Sequence, residues 1–296
     1  MSGHNPAVIR CHDDPPLFVE ALRFTAAEAG FAARLIEKDY FCSLVLEYLA
    51  GADDALVFKG GTCLAKVHAG FYRLSEDLDF AIPMPIEATR QDRSHRAAGT
   101  KQAVAELPRA LAGMRVVDSL RGANNSLQYI GSVAYRSLLS HQQETITIEI
   151  GLREPLMMAP ELGLVRSILL DPISRQPMIS PIRVRCLSVK EAFAEKFRAA
   201  LSRREAAIRD FFDIDYAVRT LGVRPNDAEF MTLVRMKLAV PGNDPVNVSA
   251  ERLVLLRQQI APQLRPVLRE RDFREFDLDR AFGIVADVAN RLSERA

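Results

Sequence analysis

Two aspartates separated by one residue, Asp77 and Asp79, are the first pair in the sequence whose type and spacing suggest chemistry. They lie in Ser75–Phe80, where the residues alternate as in a strand, so both carboxylates are expected on one face. Carboxylates at positions i and i+2 can share a hard cation such as Mg²⁺, which prefers oxygen ligands. A lone pair of this kind is more often a solvated strand edge, so its interpretation depends on its neighbours.

A third carboxylate, Glu149, lies in the strand-like segment Thr145–Ile150. On a strand next to Asp77 and Asp79 it would complete a site for metal ions that clamp the attacking and leaving oxygens of an in-line displacement at phosphorus. Glu149 would then ligate the metal ion beside the nucleophile or assist deprotonation of the nucleophile. The plainer interpretation is a polar position on the outer face of a strand.

A Gly-Gly-Thr turn precedes these acids and follows the short apolar strand predicted over Ala55–Phe58. The two glycines let backbone N–H groups approach a phosphate, the start of a helix favours negative charge, and the threonine hydroxyl adds a donor. This turn therefore predicts a bound nucleoside triphosphate. The candidate nucleotide-binding residues are Lys59, Gly60, Gly61, Thr62 and Ser75.

A second charged group lies where the sequence has helical period, from Ser188 onward. Lys196 is a compact point charge that can contact triphosphate oxygens and neutralise charge on the leaving pyrophosphate. Asp213 can orient or pair with this lysine. The alternative is that these residues form solvated helix faces and surface ion pairs.

The elements that must position these residues are predicted from periodicity and turn residues. Helices are predicted over Leu17–Ala29, Ala32–Leu49, Thr62–His68 and Ile86–Leu111. Further strands are predicted over Met114–Leu120 and Leu127–Leu138, and Pro155–Pro181 is interpreted as connecting structure. Ser188 is predicted to cap the next helix in a capping box with Glu191.

Composition places the chain among ordinary globular proteins. Its 296 residues suffice for a full α/β core and a second lobe, and the net charge of +1 excludes a polycationic coat protein. Four cysteines without a CxxC pair suggest reduced thiols, with neither a zinc ribbon nor a disulfide framework. No leader segment and no long apolar run is seen, so a cytoplasmic protein that does not bind a membrane is expected.

Six motifs in order resemble the AbiEii/AbiGii-type nucleotidyltransferase toxins and the related MenT toxins. They are Glu37–Tyr40 (EKDY), Val57–Thr62 (VFKGGT), Leu74–Phe80 (LSEDLDF), Ile146–Glu149 (ITIE), Ala194–Ala199 (AEKFRA) and Arg209–Asp213 (RDFFD). Thr62 replaces a serine common in the family and keeps the hydroxyl, and Glu149 stands where many members have aspartate. The resemblance covers about residues 35–217.

The resemblance implies an α/β fold with a minimal nucleotidyltransferase core, a mixed sheet, N-terminal helices and a C-terminal helical lobe. The implied boundaries are 1–50, 51–187 and 188–296. It assigns metal binding to Asp77 and Asp79, phosphate binding to the Gly-Gly-Thr turn, and essential roles to Lys196 and Asp213. Mg²⁺ or Mn²⁺ would be the cofactor and an NTP the co-substrate.

The same resemblance implies the toxin of a bacterial toxin–antitoxin or abortive-infection module, with an antitoxin encoded nearby and a tRNA 3′ end as acceptor of the nucleotide. Arginines of the helical lobe can contact RNA phosphates, although many alternate with acids as on a solvated face. The candidate RNA contacts are Arg198, Arg203, Arg204 and Arg209. Three alternatives stay open: a protein or small-molecule acceptor, a metal-dependent nuclease or phosphotransferase, and an inactive interaction module.

Overall fold

A computed structural model describes residues 10–294, so the part of the leader prediction that concerns residues 1–9 lies outside the described residues. The strands are β1 Val57–Lys59, β2 Leu78–Ala81, β3 Arg115–Ala123, β4 Gln128–Arg136, β5 Gln143–Gly151, β6 Glu161–Val165 and β7 Ile182–Cys186. They form one mixed sheet in the order β3-β4-β5-β2-β1-β7-β6. Strands β2 and β5 are parallel, as are β1 and β7, whereas β1 and β2 are antiparallel.

Helices precede the first strand, follow the last one and connect strands in between. They are α1 Pro15–Ala29, α2 Ala33–Ala52, α3 Gly60–Cys63, α4 Arg90–Arg96, α5 Ala98–Ala110, α6 Val189–Ser202, α7 Ile208–Thr220, α8 Ala228–Ala239, α9 Ala250–Gln259, α10 Glu270–Glu275 and α11 Leu278–Ser293. A π-helical segment, Leu64–His68, continues directly from α3. The predicted α/β fold with a mixed sheet, N-terminal helices and C-terminal helices is confirmed.

The described chain divides into two compact units. The first comprises the chain through Pro83 together with Ala88–Arg153 and Leu162–Cys186, and it contains nearly all of the sheet. The second comprises Met84–Glu87, Glu154–Glu161 and the helices from Leu187 onward.

Strand alternation explains why the acids of the first unit reach one face. On β5, Ile146, Ile148 and Ile150 are buried, and the residues between them are half-buried or exposed. Strand β2 repeats this pattern, with Leu78 and Phe80 buried. Because side chains alternate across a strand, burying the apolar set leaves the acids on the opposite face.

The structure differs from the predicted elements at three places in the chain. The helix predicted over Ile86–Leu111 is two helices, α4 and α5, and α4 starts at a capping box in which Thr89 and Asp92 satisfy each other's backbone N–H groups. The segment interpreted as connecting structure contains β6, and β7 was not predicted. Both strands have only five residues, too few for periodicity to distinguish them from a loop.

The predicted capping box at α6 is half correct. The Ser188 side chain accepts a hydrogen bond from the Glu191 amide, as predicted. The Glu191 carboxylate instead accepts from the amides of Met157 and Met158 at 3.0 and 2.8 Å and pairs with Lys237 at 2.8 Å. Its charge is therefore used within the second unit to hold the segment around Met157 against α6 and α8.

Candidate active site

Three charged residues form a row across the middle of the sheet. In the register of the strands, Asp79 lies opposite Lys59 on β1 and opposite Glu149 on β5. Directly paired residues point to the same side of a sheet, and neighbouring strands lie about 4.8 Å apart. We call Lys59, Asp79 and Glu149 the central row; all three are half-buried.

Asp77 lies immediately before β2 and is half-buried. Strand alternation continued by one residue places it on the side of Asp79. Its backbone carbonyl accepts a hydrogen bond of 2.5 Å from the Thr62 hydroxyl. Thr62 is buried, and its hydroxyl has a single hydrogen, which this bond uses. In this structure the hydroxyl therefore joins the Gly-Gly turn to the aspartate segment.

Gly60 and Gly61 are required by what surrounds them. Gly60 has a φ of 76°, and the Asp79 Oδ2 atom fills the space that a β-carbon at Gly60 would take. At Gly61 the same space is taken by the Nη2 atom of Arg73. The turn is therefore packed directly against a carboxylate and a guanidinium, and no larger residue fits either position without displacing one of them.

Arg73 is a residue that the sequence analysis missed. It is the largest fully buried side chain of the described chain, 2% exposed, and its Nη1 donates to the Leu74 carbonyl at 3.2 Å. Its guanidinium also lies over the ring of Tyr72. A buried cation beside Gly61 adds positive charge at the turn where phosphate binding is predicted. Its position after a glycine turn gave no signal in the sequence.

Lys38 and Asp39 of α2, quoted in the EKDY motif but given no role, support the same segments. Asp39 pairs with Lys66 of the π-helical segment at 2.5 Å, and both side chains are at least 98% buried. Lys38 lies 3.5 Å from Glu76, the residue before Asp77. Removing one partner of a buried ion pair strongly destabilises a protein, so α2 helps to fix the π-helical segment and the segment that precedes Asp77.

The oxygen ligands of this face suit a hard divalent cation, because Mg²⁺ and similar ions are bound by a few carboxylates together with substrate phosphates. Asp79 and Glu149 supply adjacent carboxylates on paired strands, and Asp77 adds a third. Within residues 10–294, these three acids do not bring three ligand atoms within 4.8 Å of one another.

A second ionic cluster lies wholly in the second unit. The Lys196 ammonium is 2.6 Å from Asp210 Oδ1 and 2.9 Å from Asp213 Oδ2. The Asp213 side chain is fully buried, and Lys196 is only 13% exposed. Asp213 therefore pairs with Lys196, as the sequence suggested, whereas Asp210 was missed although it lies one helical turn from Asp213. The alternative of a solvated surface pair is wrong for these three residues.

The candidate RNA-contacting arginines have different surroundings. Arg203 and Arg204 are exposed, and Arg203 also lies 3.7 Å from Asp210. Arg209 donates to the Gln263 carbonyl, and Arg198 is held by Glu195 and by Asn243. Burial lowers the pKa of Arg198, but the charge and hydrogen bond of Glu195 together with the charges of Glu154 and Asp210 outweigh it, so the pKa is raised. Arg198 thus has a clear structural partner.

The fold that carries the central row and the glycine turn is shared by solved structures of other proteins. A putative nucleotidyltransferase from H. pylori shares the fold with a TM-score of 0.51 and 15% identity, covering 88% of this chain and 96% of that one. The protein JHP933 from Helicobacter pylori matches with a TM-score of 0.52 and 15% identity, covering 90% and 94%. MenT4, a nucleotidyltransferase toxin from Mycobacterium tuberculosis, matches with a TM-score of 0.46 and 19% identity, covering 90% of this chain and 98% of that one.

The family follows from the sequence itself. The family model described as nucleotidyl transferase AbiEii toxin, type IV toxin–antitoxin system, matches residues 44–286. The chain belongs to this family, as its six motifs predicted. No protein of curated function matches it. Among the described residues, no helix is both long and apolar enough to cross a membrane.

Proposed function

We propose that this nucleotidyltransferase toxin transfers a nucleoside monophosphate from an NTP to RNA, at the 3′ end of tRNA, and so blocks translation. The observation that carries the proposal is the contact of the Asp79 carboxylate with Gly60 of the phosphate-binding turn, in a row with Glu149. This contact brings an oxygen ligand for a metal ion and a candidate phosphate site to the same point of the sheet.

The candidate site residues of the first unit have distinct proposed roles in this reaction. Asp77, Asp79 and Glu149 would hold Mg²⁺ or Mn²⁺, which supplies charge neutralisation at the phosphates and activation of the attacking hydroxyl. The backbone N–H groups at Gly60 and Gly61 would bind phosphate oxygens, with Arg73 adding positive charge beneath them. Lys59 and Ser75 are further candidates for nucleotide contact. Alternatively, Glu149 would assist deprotonation of the attacking hydroxyl instead of ligating the metal ion.

The second unit contributes Lys196 and Asp213, which we propose as essential residues. Lys196 would neutralise charge that develops on the leaving pyrophosphate, and Asp210 and Asp213 would fix its ammonium group. In the described structure both carboxylates already hold this lysine in one position. A charged group that is held in advance needs little reorganisation during reaction.

The proposed acceptor rests on the family and on the exposed arginines. Arg203 and Arg204 present guanidinium groups to solvent, as expected of contacts to a phosphate backbone. Membership of a type IV toxin–antitoxin family implies an antitoxin partner encoded with the toxin. Such a module would act in abortive infection, in the cytoplasm where tRNA is found.

A nucleotidyltransferase with a protein or small-molecule acceptor is the second candidate, because the central row does not specify the acceptor. A metal-dependent nuclease or phosphotransferase would use the same carboxylates, but the glycine turn favours a triphosphate substrate. An inactive module is disfavoured because each motif acid and Lys196 is present.

The test is a transfer assay with each of the four α-³²P-labelled NTPs, Mg²⁺ and total tRNA, with Asp79→Ala and Lys196→Ala as controls. We expect label on tRNA with the wild type and none with either variant or with EDTA. Label on a protein or small molecule, with Mg²⁺-dependent NTP binding intact, would reject the RNA acceptor. Shortened RNA without incorporated label would instead indicate a nuclease.

A further inference from the structure

Three soft ligands meet in the first unit, apart from the carboxylates of the central row. The Sγ atoms of Cys63 and Cys186 and a ring nitrogen of His68 all lie within 4.8 Å of one another. Cys63 ends α3, His68 ends the π-helical segment and Cys186 ends β7. Both cysteines are fully buried, whereas His68 is half-buried and connects the group to solvent. We call these three residues the thiol cluster.

The π-helical segment explains how Cys63 and His68 come together. In an α-helix, residues five apart are rotated by about 140° from each other, since each residue turns by about 100°. A π-helix pairs residues i and i+5 instead, and here the Ala69 amide donates to the Leu64 carbonyl. His68 therefore lies roughly one turn above Cys63. Such π-turns are frequently found at functional sites.

The third ligand arrives from the sheet. Cys186 pairs with Phe58 of β1 in the parallel register of β1 and β7. Gly163 of β6 is packed against it, because a β-carbon at Gly163 would lie 2.8 Å from the Cys186 Sγ atom and 2.6 Å from a methyl group of Val67. The backbone of β6 thus closes the cluster beside Cys186, whereas His68 is half-buried.

We infer that Cys63, His68 and Cys186 bind a thiophilic divalent cation such as Zn²⁺. Zinc takes thiolate and imidazole ligands at about 2.3 and 2.0–2.1 Å, which in a tetrahedron puts the ligand atoms about 3.5–3.8 Å apart. Because the three ligand atoms lie within 4.8 Å of one another, shifts of at most about one ångström bring them to that geometry. Three protein ligands leave the fourth position of the ion to water or to another small ligand.

The site differs in chemistry from the central row. Thiolates select soft ions such as zinc, whereas carboxylates suit Mg²⁺ and Mn²⁺. Binding would release the two thiol protons, so it weakens as the pH falls. This site could not be predicted from the sequence, because the cysteines form no CxxC pair and Cys186 is remote from the other two ligands in the chain.

The experiment uses the full-length protein, purified under reducing conditions without chelator. We expect about one zinc per chain by elemental mass spectrometry, removable by a strong chelator. Titration of the metal-free protein with Co²⁺ should then give a thiolate-to-cobalt charge-transfer band and the visible bands of a tetrahedral site. Carboxylate ligands give no thiolate band, so ions bound at the central row do not imitate this signal.

Substitutions identify the ligands. Cys63→Ser and Cys186→Ser should abolish the charge-transfer band. His68→Gln should raise the Kd for Co²⁺ by at least about tenfold, which corresponds to a loss of about 1.4 kcal/mol of binding free energy. His68 is half-buried, so this variant tests the site even if a cysteine variant fails to fold. Cys11→Ser, at a buried cysteine outside the cluster, should leave the spectrum unchanged.

Two results would overturn the inference. One is a Co²⁺ spectrum that lacks the thiolate band or that persists in all three ligand variants. The other is a Cys63–Cys186 disulfide in freshly purified protein, seen as a loss of two hydrogens in the intact mass with no bound metal. An Asp79→Ala variant should keep the thiolate band, so this site and the proposed transfer reaction succeed or fail separately.

Discussion

The Asp79 carboxylate occupies the place that a β-carbon at Gly60 would need. This contact joins the strand that holds the acids to the turn that is proposed to hold phosphate. It also explains why a glycine stands at position 60, where the backbone has a positive φ of 76°. A change at either residue should therefore be felt at the other.

Gly60→Ala should reduce nucleotide transfer by more than about tenfold, because a misplacement of about 1 Å at a reacting group has effects of this size or larger. The matched control is Gly70→Ala, which has a φ of 64° but nothing within 4 Å of the added carbon. Left-handed strain should cost both variants about 1–2 kcal/mol of stability, measured by urea unfolding, and the collision with Asp79 should cost Gly60→Ala more than Gly70→Ala. Equal activities of the two variants would show that the contact with Asp79 is unimportant.

Glu149→Gln should raise the Mg²⁺ concentration needed for half-maximal transfer, because the amide is a weaker ligand of a hard cation than the carboxylate. Asp79→Asn should be more severe, with a loss of about 100-fold or more, typical of removing one well-placed charged group. Thr147→Val changes the same face of β5 without removing an acid and should act as wild type. A Mg²⁺ dependence that Glu149→Gln leaves unchanged would remove Glu149 from the metal site.

Lys196→Met should lower the free energy of unfolding by about 3–5 kcal/mol, because it removes the ammonium group that Asp210 and Asp213, two buried like charges, share. Adding Asp210→Asn and Asp213→Asn should restore part of that stability. The triple variant should still fail to transfer nucleotide. Urea unfolding measures the stability of each variant, and the transfer assay measures its activity. Recovery of activity with stability would reduce Lys196 to a structural role.

Arg204→Ala should weaken RNA binding and lower the slope of log affinity against log salt by about 0.7–1, the effect of one phosphate contact. NTP binding should be unchanged, since the side chain is exposed. Arg198→Ala should instead destabilise the protein, because it removes the partner of Glu195 and Asn243. Titrations of labelled tRNA at several salt concentrations, beside thermal unfolding, separate the two effects.

His12 should make stability fall in mild acid. Burial lowers the pKa of His12 below its usual 6.5, only partly offset by Asp13, and its Nδ1 lies 2.6 Å from the Tyr40 hydroxyl. Below about pH 6.5 the unfolded chain then binds more protons at His12 than the folded chain does. The contribution of His12 to the free energy of unfolding is therefore complete above about pH 6.5 and is lost as the pH decreases. His12→Gln should flatten this part of the stability–pH curve. His95→Gln, at an exposed site, should not.

The acids were predictable from the sequence because alternation along Ser75–Phe80 and Thr145–Ile150 assigns each side chain to a face. The register of β2 with β5 was not predictable, because period alone does not fix which residues of two strands are paired. This register sets Asp79 opposite Glu149. The placement of Arg73 against Gly61 was also beyond the sequence. Both depend on contacts between segments far apart in the chain.

The charged residues of the helices show the same limit. The spacing of Lys196 and Asp213 permitted a pair, but only the structure shows that Asp213 is buried and that Asp210 shares the ammonium group. Glu191 was predicted to cap its own helix, and it binds two amides of another segment instead. Local rules identify a charge correctly, but its partner is decided by tertiary packing.

Strands β1 and β2 lie in the interior of the sheet, with a paired neighbour on each side. The amide hydrogens around Asp79 should consequently be among the slowest to exchange with heavy water, at a rate close to that of global unfolding. A backbone so confined offers little room for an on–off rearrangement within the row itself. An inhibitor directed at the row is therefore expected to cover Asp79 and Glu149 rather than to rearrange the strands that carry them.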